Sequence, residues 1–268
     1  MVRFVLSLLV LWMPVLVQAA AIETRAVEYR QGDTRLVGYL ARPAEVKGPL
    51  PGVLVVHEWM GLNDYAKRRA EQLAELGYVA LAADIYGDGK VAADVAEAKA
   101  LSTQYKSDRA LLRVRTAAGL EALKAQAGVD PLQVVAIGYC FGGTAVLELA
   151  RSGADLAGVV SFHGGLDTPK VQDTKRIRAK VLALHGADDP YVPAAQVAAF
   201  EDEMRAAGVD WQLIAYGGAV HGFTNPANGS DNSKGAAYNA KADQRSWAAM
   251  RQFFNESFAP ARSTADSN

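Results

Sequence analysis

The sequence contains very little cysteine and no excess of either charge. Cys140 is the single cysteine among 268 residues, so no disulfide can form within the chain. The 28 Lys and Arg residues nearly balance 29 Asp and Glu residues, so nothing indicates a nucleic acid or an anionic membrane as a partner. No repeat or linker divides the sequence, and its length suits one domain with a full core. We therefore expect a small-molecule ligand and a monomer.

The N-terminus has the layout of a secretory signal peptide. Arg3 gives a positive start, and the uncharged run from Phe4 to Val17 is too short to span a bilayer comfortably. Small residues around Ala19 and Ala20 suit a cleavage site. We predict that residues 1–20 are removed and that the mature protein is periplasmic or secreted, without stable membrane association. An uncleaved membrane anchor is the alternative interpretation.

Residues 21–258 alternate between strand and helix patterns, and residues 259–268 form a small polar tail that we expect to be flexible. Alternation of this kind predicts an α/β fold with a mostly parallel sheet covered by helices on both faces. In such sheets, ligands bind beyond the carboxyl ends of the strands. The predicted strands are 24–30, 34–42, 53–56, 78–83, 133–137, 157–162, 180–184 and 211–216, and the predicted helices are 65–76, 92–104, 109–127, 141–151, 194–207 and 238–254.

A glycine-rich turn joins one predicted strand to the next helix. Its sequence, Gly138-Tyr139-Cys140-Phe141-Gly142-Gly143, has the glycine–x–nucleophile–x–glycine layout of a nucleophile elbow, with cysteine in place of serine. The N-terminus of the following helix favours a thiolate and anionic intermediates. This context predicts that Cys140 is a nucleophile, although a small buried hydrophobic residue in a tight turn is the alternative.

The order of residues along the chain indicates a base and an acid for this nucleophile. In hydrolases with such an elbow, the acid and then the histidine follow the nucleophile. Asp189 and His221 both lie in loops after later strands and have this order. Asp188 is the alternative acid, or it tightens its turn. The other three histidines each end a predicted strand, where an imidazole often satisfies backbone groups: His57, His163 and His185.

A second candidate group follows the buried strand 53–56. Glu58 is expected beside the elbow, although it could instead cap a helix or lie on a loop surface. The backbone N–H groups of Trp59 and Phe141 could together form an oxyanion hole.

Taken together, these motifs resemble the dienelactone hydrolase family from about Glu23 to Phe258. The residues that carry the resemblance are the cysteine elbow, His57-Glu58-Trp59-Met60-Gly61, Asp84-Ile85-Tyr86, the run from His185 to Pro193 and His221-Gly222-Phe223. The resemblance implies an α/β-hydrolase fold with an eight-stranded sheet, a Cys140–His221–Asp189 triad, an acyl-enzyme, and no cofactor or metal. It also implies that Glu58 contacts the resting thiol and moves away when substrate binds.

The sequence departs from the family pattern at two substrate-binding positions. The enzyme for which the family is named holds its substrate's carboxylate with two arginines. Here no arginine lies between Tyr86 and Asp108, and His221 is followed by Gly222-Phe223-Thr224-Asn225. The sequence therefore predicts an exported hydrolase of small esters or lactones but not a dienelactone as substrate. A thioesterase or acyl-transfer enzyme of the same fold, or an inactive hydrolase-like binding protein, is the alternative.

Overall fold

The computed structural model describes residues 21–45 and 47–258. The predicted signal peptide, 1–20, and the predicted flexible tail, 259–268, lie outside the described residues. Eight strands form one sheet in the order β1-β2-β4-β3-β5-β6-β7-β8. The strands are β1 Ile22–Gln31, β2 Thr34–Pro43, β3 Leu50–Val56, β4 Val79–Ala83, β5 Val129–Tyr139, β6 Gly158–Phe162, β7 Lys180–Gly186 and β8 Trp211–Tyr216.

The sheet is antiparallel at one side and parallel across the rest. β1 forms a hairpin with β2, and β2 runs antiparallel to β4. From β4 onward, every neighbouring pair is parallel. Every residue of β4 and β6 is buried, as expected for parallel strands that have helices on both faces.

Helices cover both faces of the sheet. The helices are α1 Asp64–Glu75, α2 Val95–Ser107, α3 Arg109–Lys124, α4 Phe141–Arg151, α5 Ala194–Ala207 and α6 Ala240–Phe258. Buried side chains of α1 and α6 belong to the core on one face, and those of α3, α4 and α5 belong to the core on the other. The predicted fold class, a mostly parallel eight-stranded sheet with helices on both faces, is confirmed.

The ends of the helices follow local side-chain chemistry. The side chain of Asp94 accepts a hydrogen bond from the N–H of Glu97, so α2 begins at Val95 and not at residue 92 as predicted. Asp108 caps α3 in the same way, and Gly208 ends α5 in a left-handed conformation. None of the helices within residues 21–45 and 47–258 is long and apolar enough to cross a membrane.

Candidate active site

The turn between β5 and α4 has the strained geometry that the elbow motif predicts. Cys140 has φ 53° and ψ −112°, a left-handed conformation that a non-glycine residue adopts only when its surroundings enforce it. A Cβ atom on Gly138 would overlap the backbone of Gly142, and one on Gly142 would overlap the carbonyl oxygens of Val56 and His57. Glycine at both positions therefore lets the strand, the turn and the helix approach closely.

Three of the predicted site residues form one hydrogen-bonded row. His221 Nε2 lies 3.0 Å from Cys140 Sγ, and His221 Nδ1 lies 2.8 Å from Asp189 Oδ2. Asp189 is further held by the N–H of Tyr191, which donates to its other carboxylate oxygen at 2.8 Å. Asp188 instead accepts a hydrogen bond from the N–H of Gly218. The structure thus places Asp189, and not Asp188, against His221.

The electrostatics of this row favour a protonated His221. Burial disfavours the imidazolium, but a negative charge on Cys140 and the hydrogen bond that His221 donates to Asp189 outweigh burial and raise the pKa of His221 to about 10. Since α4 also begins directly after Cys140, the positive end of its dipole lies next to the sulfur. This geometry suits a thiolate–imidazolium pair, which is the reactive form of a cysteine nucleophile.

Glu58 is buried near the row but does not have the expected partner. Its Oε2 atom accepts a hydrogen bond of 2.6 Å from Nδ2 of Asn225, while the sulfur of Cys140 contacts His221. No hydrogen bond therefore joins Glu58 to the thiol of Cys140. Burial raises the pKa of the Glu58 carboxyl, and the hydrogen bond from Asn225 and the charges of His221 and Arg69 oppose this rise. A position on the loop surface is wrong because Glu58 is only 6% exposed, and a capping role is wrong because Asn63 caps α1.

The two backbone N–H groups that were predicted as oxyanion donors belong to Trp59 and Phe141. Phe141 is the first residue of α4, so its N–H has no acceptor within the helix. Trp59 lies in the turn after β3, and its N–H donates to no acceptor within the part of the chain that the structure describes. Tyr86 Oη donates to the carbonyl oxygen of Trp59 at 2.8 Å and holds this turn. Both donors therefore remain available to an oxygen atom of a substrate.

The other histidines contact backbone groups and neighbouring rings. Burial lowers the pKa of His57, and the ring is neutral with Nδ1 2.6 Å from the carbonyl oxygen of Glu58. Nε2 of the same ring lies 3.4 Å from the N–H of Ile85. His163 Nδ1 accepts from the N–H of Cys140. Nδ1 of His185 has no partner within the described residues.

A buried cation, Arg69, lies behind the site, and no motif of the sequence indicates it. The guanidinium group of Arg69 donates to the carbonyl oxygen of Thr224 at 2.8 Å and to Asp243 at 2.6 Å. Its remaining nitrogens donate to Tyr65 Oη and to the side chain of Gln72. All three nitrogens of Arg69 are thus engaged inside the protein, so Arg69 does not offer a binding group for a substrate carboxylate. Within residues 21–45 and 47–258, no cluster of three or more His, Cys, Asp or Glu residues could hold a metal ion.

Comparisons with known proteins identify the family of this chain. Residues 36–258 match the model of the dienelactone hydrolase family. The chain belongs to this family. A dienelactone hydrolase-like promiscuous phosphotriesterase from metagenomic libraries is 47% identical, with a TM-score of 0.85 over 89% of this chain and 100% of that chain.

Two curated bacterial relatives carry the names of lactone-cleaving enzymes. A Synechocystis protein named as a carboxymethylenebutenolidase is 30% identical over 252 residues, 87% of this chain and 96% of its own length. A Bradyrhizobium protein named as a 2-oxo-3-(5-oxofuran-2-ylidene)propanoate lactonase is 32% identical over 217 residues, 76% of this chain and 86% of its own length. This protein is a carboxylic ester hydrolase of the dienelactone hydrolase family.

Proposed function

We propose that this family member hydrolyses small, uncharged esters or lactones through a covalent thioester on Cys140. The observation that carries this proposal is the row of hydrogen bonds in which His221 contacts Cys140 at 3.0 Å and Asp189 at 2.8 Å. Such a row contains a nucleophile, a base and a group that orients the base. All of these residues belong to one chain, so a monomer has the complete site.

The reaction follows from the positions of these groups. The Cys140 thiolate attacks the carbonyl carbon, and the carbonyl oxygen becomes an oxyanion bound by the N–H groups of Trp59 and Phe141. As the oxyanion re-forms its double bond, the carbon–oxygen bond to the alcohol breaks, and His221 Nε2 gives the alcohol its proton. Water then attacks the thioester while His221 accepts a proton from it. The acid leaves, and Cys140 becomes a thiolate again beside the protonated His221.

The charges around the site support an uncharged substrate. All three nitrogens of Arg69 donate hydrogen bonds to groups of the protein. The four residues that follow His221, which end at Asn225, include no arginine. A desolvated contact between an arginine and a carboxylate is worth about 2–3 kcal/mol, and no such contact is indicated here. We therefore do not propose that this protein shares the substrates of its carboxymethylenebutenolidase relatives.

A second activity, cleavage of neutral phosphotriesters, is favoured by one comparison. The relative that is 47% identical over the whole of its own chain is described as a promiscuous phosphotriesterase. A phosphotriester carries no net charge, and its phosphoryl oxygen gains negative charge upon attack, as an ester carbonyl oxygen does. The two N–H donors proposed for the ester oxyanion would serve this oxygen equally.

Export is a separate part of the proposal. The layout of residues 1–20, with Arg3 before an apolar run, supports cleavage near Ala20 and a periplasmic or secreted protein. Intact-mass measurement of material recovered from outside the cytoplasm tests this proposal. A first residue of Ala20, Ala21 or Ile22 would support it, and retention of Met1 would contradict it.

The central experiment is a substrate panel combined with trapping of the intermediate. Purified protein is assayed with p-nitrophenyl esters, lactones, acyl thioesters and a neutral phosphotriester. Intact-mass spectrometry during turnover of a slow ester should show one acyl group, located on Cys140 by peptide mapping. Cys140→Ala should remove both the adduct and the activity.

Two paired variants complete this test. Asp189→Asn should lower kcat strongly because it removes the negative charge beside His221, whereas Asp188→Asn changes only a turn that accepts from Gly218. An adduct on another residue, or full turnover by Cys140→Ala, would overturn the mechanism. Faster turnover of thioesters than of all oxygen esters would favour a thioesterase, and no turnover of any compound would favour a binding protein.

A further inference from the structure

A second buried histidine lies directly behind the proposed nucleophile. His163 follows the last residue of β6 and is 1% exposed, with φ 41°, so its backbone is also in the left-handed region. Its N–H donates to the carbonyl oxygen of Leu184 at 2.8 Å. A left-handed conformation at a buried non-glycine residue persists only where several contacts hold it in place. None of the groups in the proposed reaction requires this histidine for proton transfer.

The ring of His163 joins the backbone of the nucleophile to a chain of hydroxyl groups. The N–H of Cys140 donates to His163 Nδ1 at 3.1 Å. On the other side of the ring, His163 Nε2 lies 2.7 Å from Thr224 Oγ1, and Tyr65 Oη lies 2.6 Å from the same oxygen. Arg69 Nε in turn donates to Tyr65 Oη at 3.2 Å. These contacts connect the nucleophile turn with α1 and with the loop that carries His221.

The contacts fix the tautomer of the ring. A backbone N–H can only donate, so Nδ1 of His163 must be unprotonated to accept from Cys140. The proton is then on Nε2 and is donated to Thr224. Burial and the positive charges of His221 and Arg69 lower the pKa of His163 well below its ordinary value, so the ring is neutral. Thr224 is therefore the acceptor that satisfies the buried Nε2–H group.

The same ring contacts the proposed base. The rings of His163 and His221 meet edge to face, with centroids 5.4 Å apart. Thr224 lies three residues after His221, so the bond from His163 to Thr224 also holds the His221 loop. The N–H of Cys140 has a second acceptor, the carbonyl oxygen of Phe162 at 3.0 Å. A single neutral ring thus touches the turn of the nucleophile, the ring of the base and the loop of the base.

We infer that His163 is a positioning residue. As the neutral Nε2–H tautomer, bonded to Thr224, it holds the strained Cys140 backbone and the His221 ring in their relative positions. This inference rests on the proposed function of Cys140 and His221. It predicts that removal of the Thr224 hydroxyl leaves the buried Nε2–H group of His163 without its acceptor. The ring would then shift, and its contacts with the Cys140 turn and the His221 ring would loosen.

Four variants and a matched control test the inference. Thr224→Val removes the acceptor and keeps the shape, whereas Thr224→Ser keeps the hydroxyl. His163→Asn keeps an acceptor near Cys140 and tolerates a positive φ, whereas His163→Ala does neither. Thr116→Val is the control, because it is the same substitution at a buried threonine of α3 whose hydroxyl donates within its own helix. The melting temperature of each variant is measured first, and all assays are run well below it.

The expected kinetic result is a change in kcat with little change in KM. Thr224→Val should lower kcat about tenfold, the effect of ~1.4 kcal/mol, while Thr224→Ser and Thr116→Val stay within about twofold of the unaltered protein. His163→Asn should retain several times the activity of His163→Ala. Equal losses in Thr224→Val and Thr116→Val, or equal activities of the two His163 variants, would overturn the inference.

Two further measurements need no substrate, so they separate this inference from the proposed function. Long-range ¹H–¹⁵N spectra at pH 7 should show His163 as the neutral Nε2–H tautomer in the unaltered protein, with ring ¹⁵N shifts that change in Thr224→Val and not in Thr116→Val. The rate of iodoacetamide alkylation at Cys140 should fall in Thr224→Val and not in Thr116→Val. A protonated or Nδ1–H ring in the unaltered protein would overturn the inference, even if ester hydrolysis by Cys140 were demonstrated.

Discussion

Replacing Asn225 with alanine should bring the Glu58 carboxyl group toward the proposed nucleophile. Asn225 Nδ2 donates to Glu58 Oε2 at 2.6 Å, and both residues are buried. Glu58 follows β3, which pairs with the strand that delivers Cys140, and the charge of His221 acts on its pKa. Without the amide, the buried carboxyl group loses its hydrogen-bond donor. The charges of His221 and Arg69 both act on this carboxyl group, and a move toward His221 brings it toward Cys140.

The size of the effect follows from the bond that is removed. A hydrogen bond to a charged group contributes about 1.5–3 kcal/mol, so its loss shifts the balance between two carboxyl positions about ten- to a hundredfold. In either protonation state, Glu58 then slows the reaction of the Cys140 sulfur with an electrophile. An ionised carboxylate raises the free energy of a thiolate nearby, and a protonated carboxyl donates a hydrogen bond that lowers its nucleophilicity. We expect alkylation of Cys140 and kcat/KM to fall together, by about tenfold in Asn225→Ala.

Iodoacetamide labelling followed by intact-mass spectrometry measures this rate directly. Asn228→Ala is the matched control, because Asn228 lies in the same loop and donates to the carbonyl oxygen of Gly222 at 2.8 Å without touching Glu58. The double variant Glu58→Gln with Asn225→Ala should recover most of the labelling rate, since the carboxyl group is gone. Unchanged labelling in Asn225→Ala, or the same loss in Asn228→Ala, would refute the argument that Asn225 holds Glu58 away from the thiol.

Three further predictions concern pH, charge and stability. Although burial opposes it, a negative charge on Cys140 raises the pKa of His221 to about 10, so His221 is protonated below that pH and loses its proton above it. A pH–rate profile of kcat/KM should therefore have its alkaline limb near pH 10. An alkaline limb near pH 6.5 would contradict this. Because Arg69 donates its hydrogen bonds to groups of the protein, a carboxylated lactone should be cleaved at a rate similar to that of its methyl ester. A preference for the carboxylated lactone above about a hundredfold, or ~2.7 kcal/mol, would contradict this. Arg151→Ala leaves the buried Glu203 without its cation and removes one of the two arginines that pair with the buried Glu148, so it should cost about 3–5 kcal/mol and lower the melting temperature by about 6–20 °C. The exposed Arg205→Ala should change the melting temperature by only a few degrees.

Much of the fold and the spacing of the site follow from local sequence. The alternation of strands and helices predicts the sheet because each buried strand is a short apolar run closed by glycine or polar residues. The elbow is predictable because a left-handed turn between a strand and a helix requires glycines beside Cys140. Likewise, parallel strands bring their carboxyl ends to one edge, so Asp189 and His221 meet near Cys140.

The partners of the supporting residues are not predictable in this way. Asn225 lies 167 positions from Glu58, and Arg69 lies 174 positions from Asp243. Neither pair has a spacing or a motif of its own, since each pair meets only after the sheet has formed. A buried carboxyl group bonds to whichever donor lies nearest in the folded protein, and the sequence does not show which of several donors that is. For this reason the sequence did not predict that Glu58 bonds to Asn225 and not to the thiol of Cys140.

The placement of charge in the site bears on which substrates it can select. The buried cation Arg69 satisfies a backbone carbonyl and Asp243, so it stabilises the protein around the site instead of attracting an anion. Asn225 presents a neutral amide to Glu58. Negative charge is therefore favoured chiefly at the sulfur of Cys140 and at the oxygen that faces the two backbone N–H groups. Because the proposed oxyanion position receives negative charge only during the reaction, such a site stabilises the transition state more than it binds a charged ground state. Discrimination among substrates should then depend on the reactivity of the ester and on the fit of its apolar groups, and less on its charge.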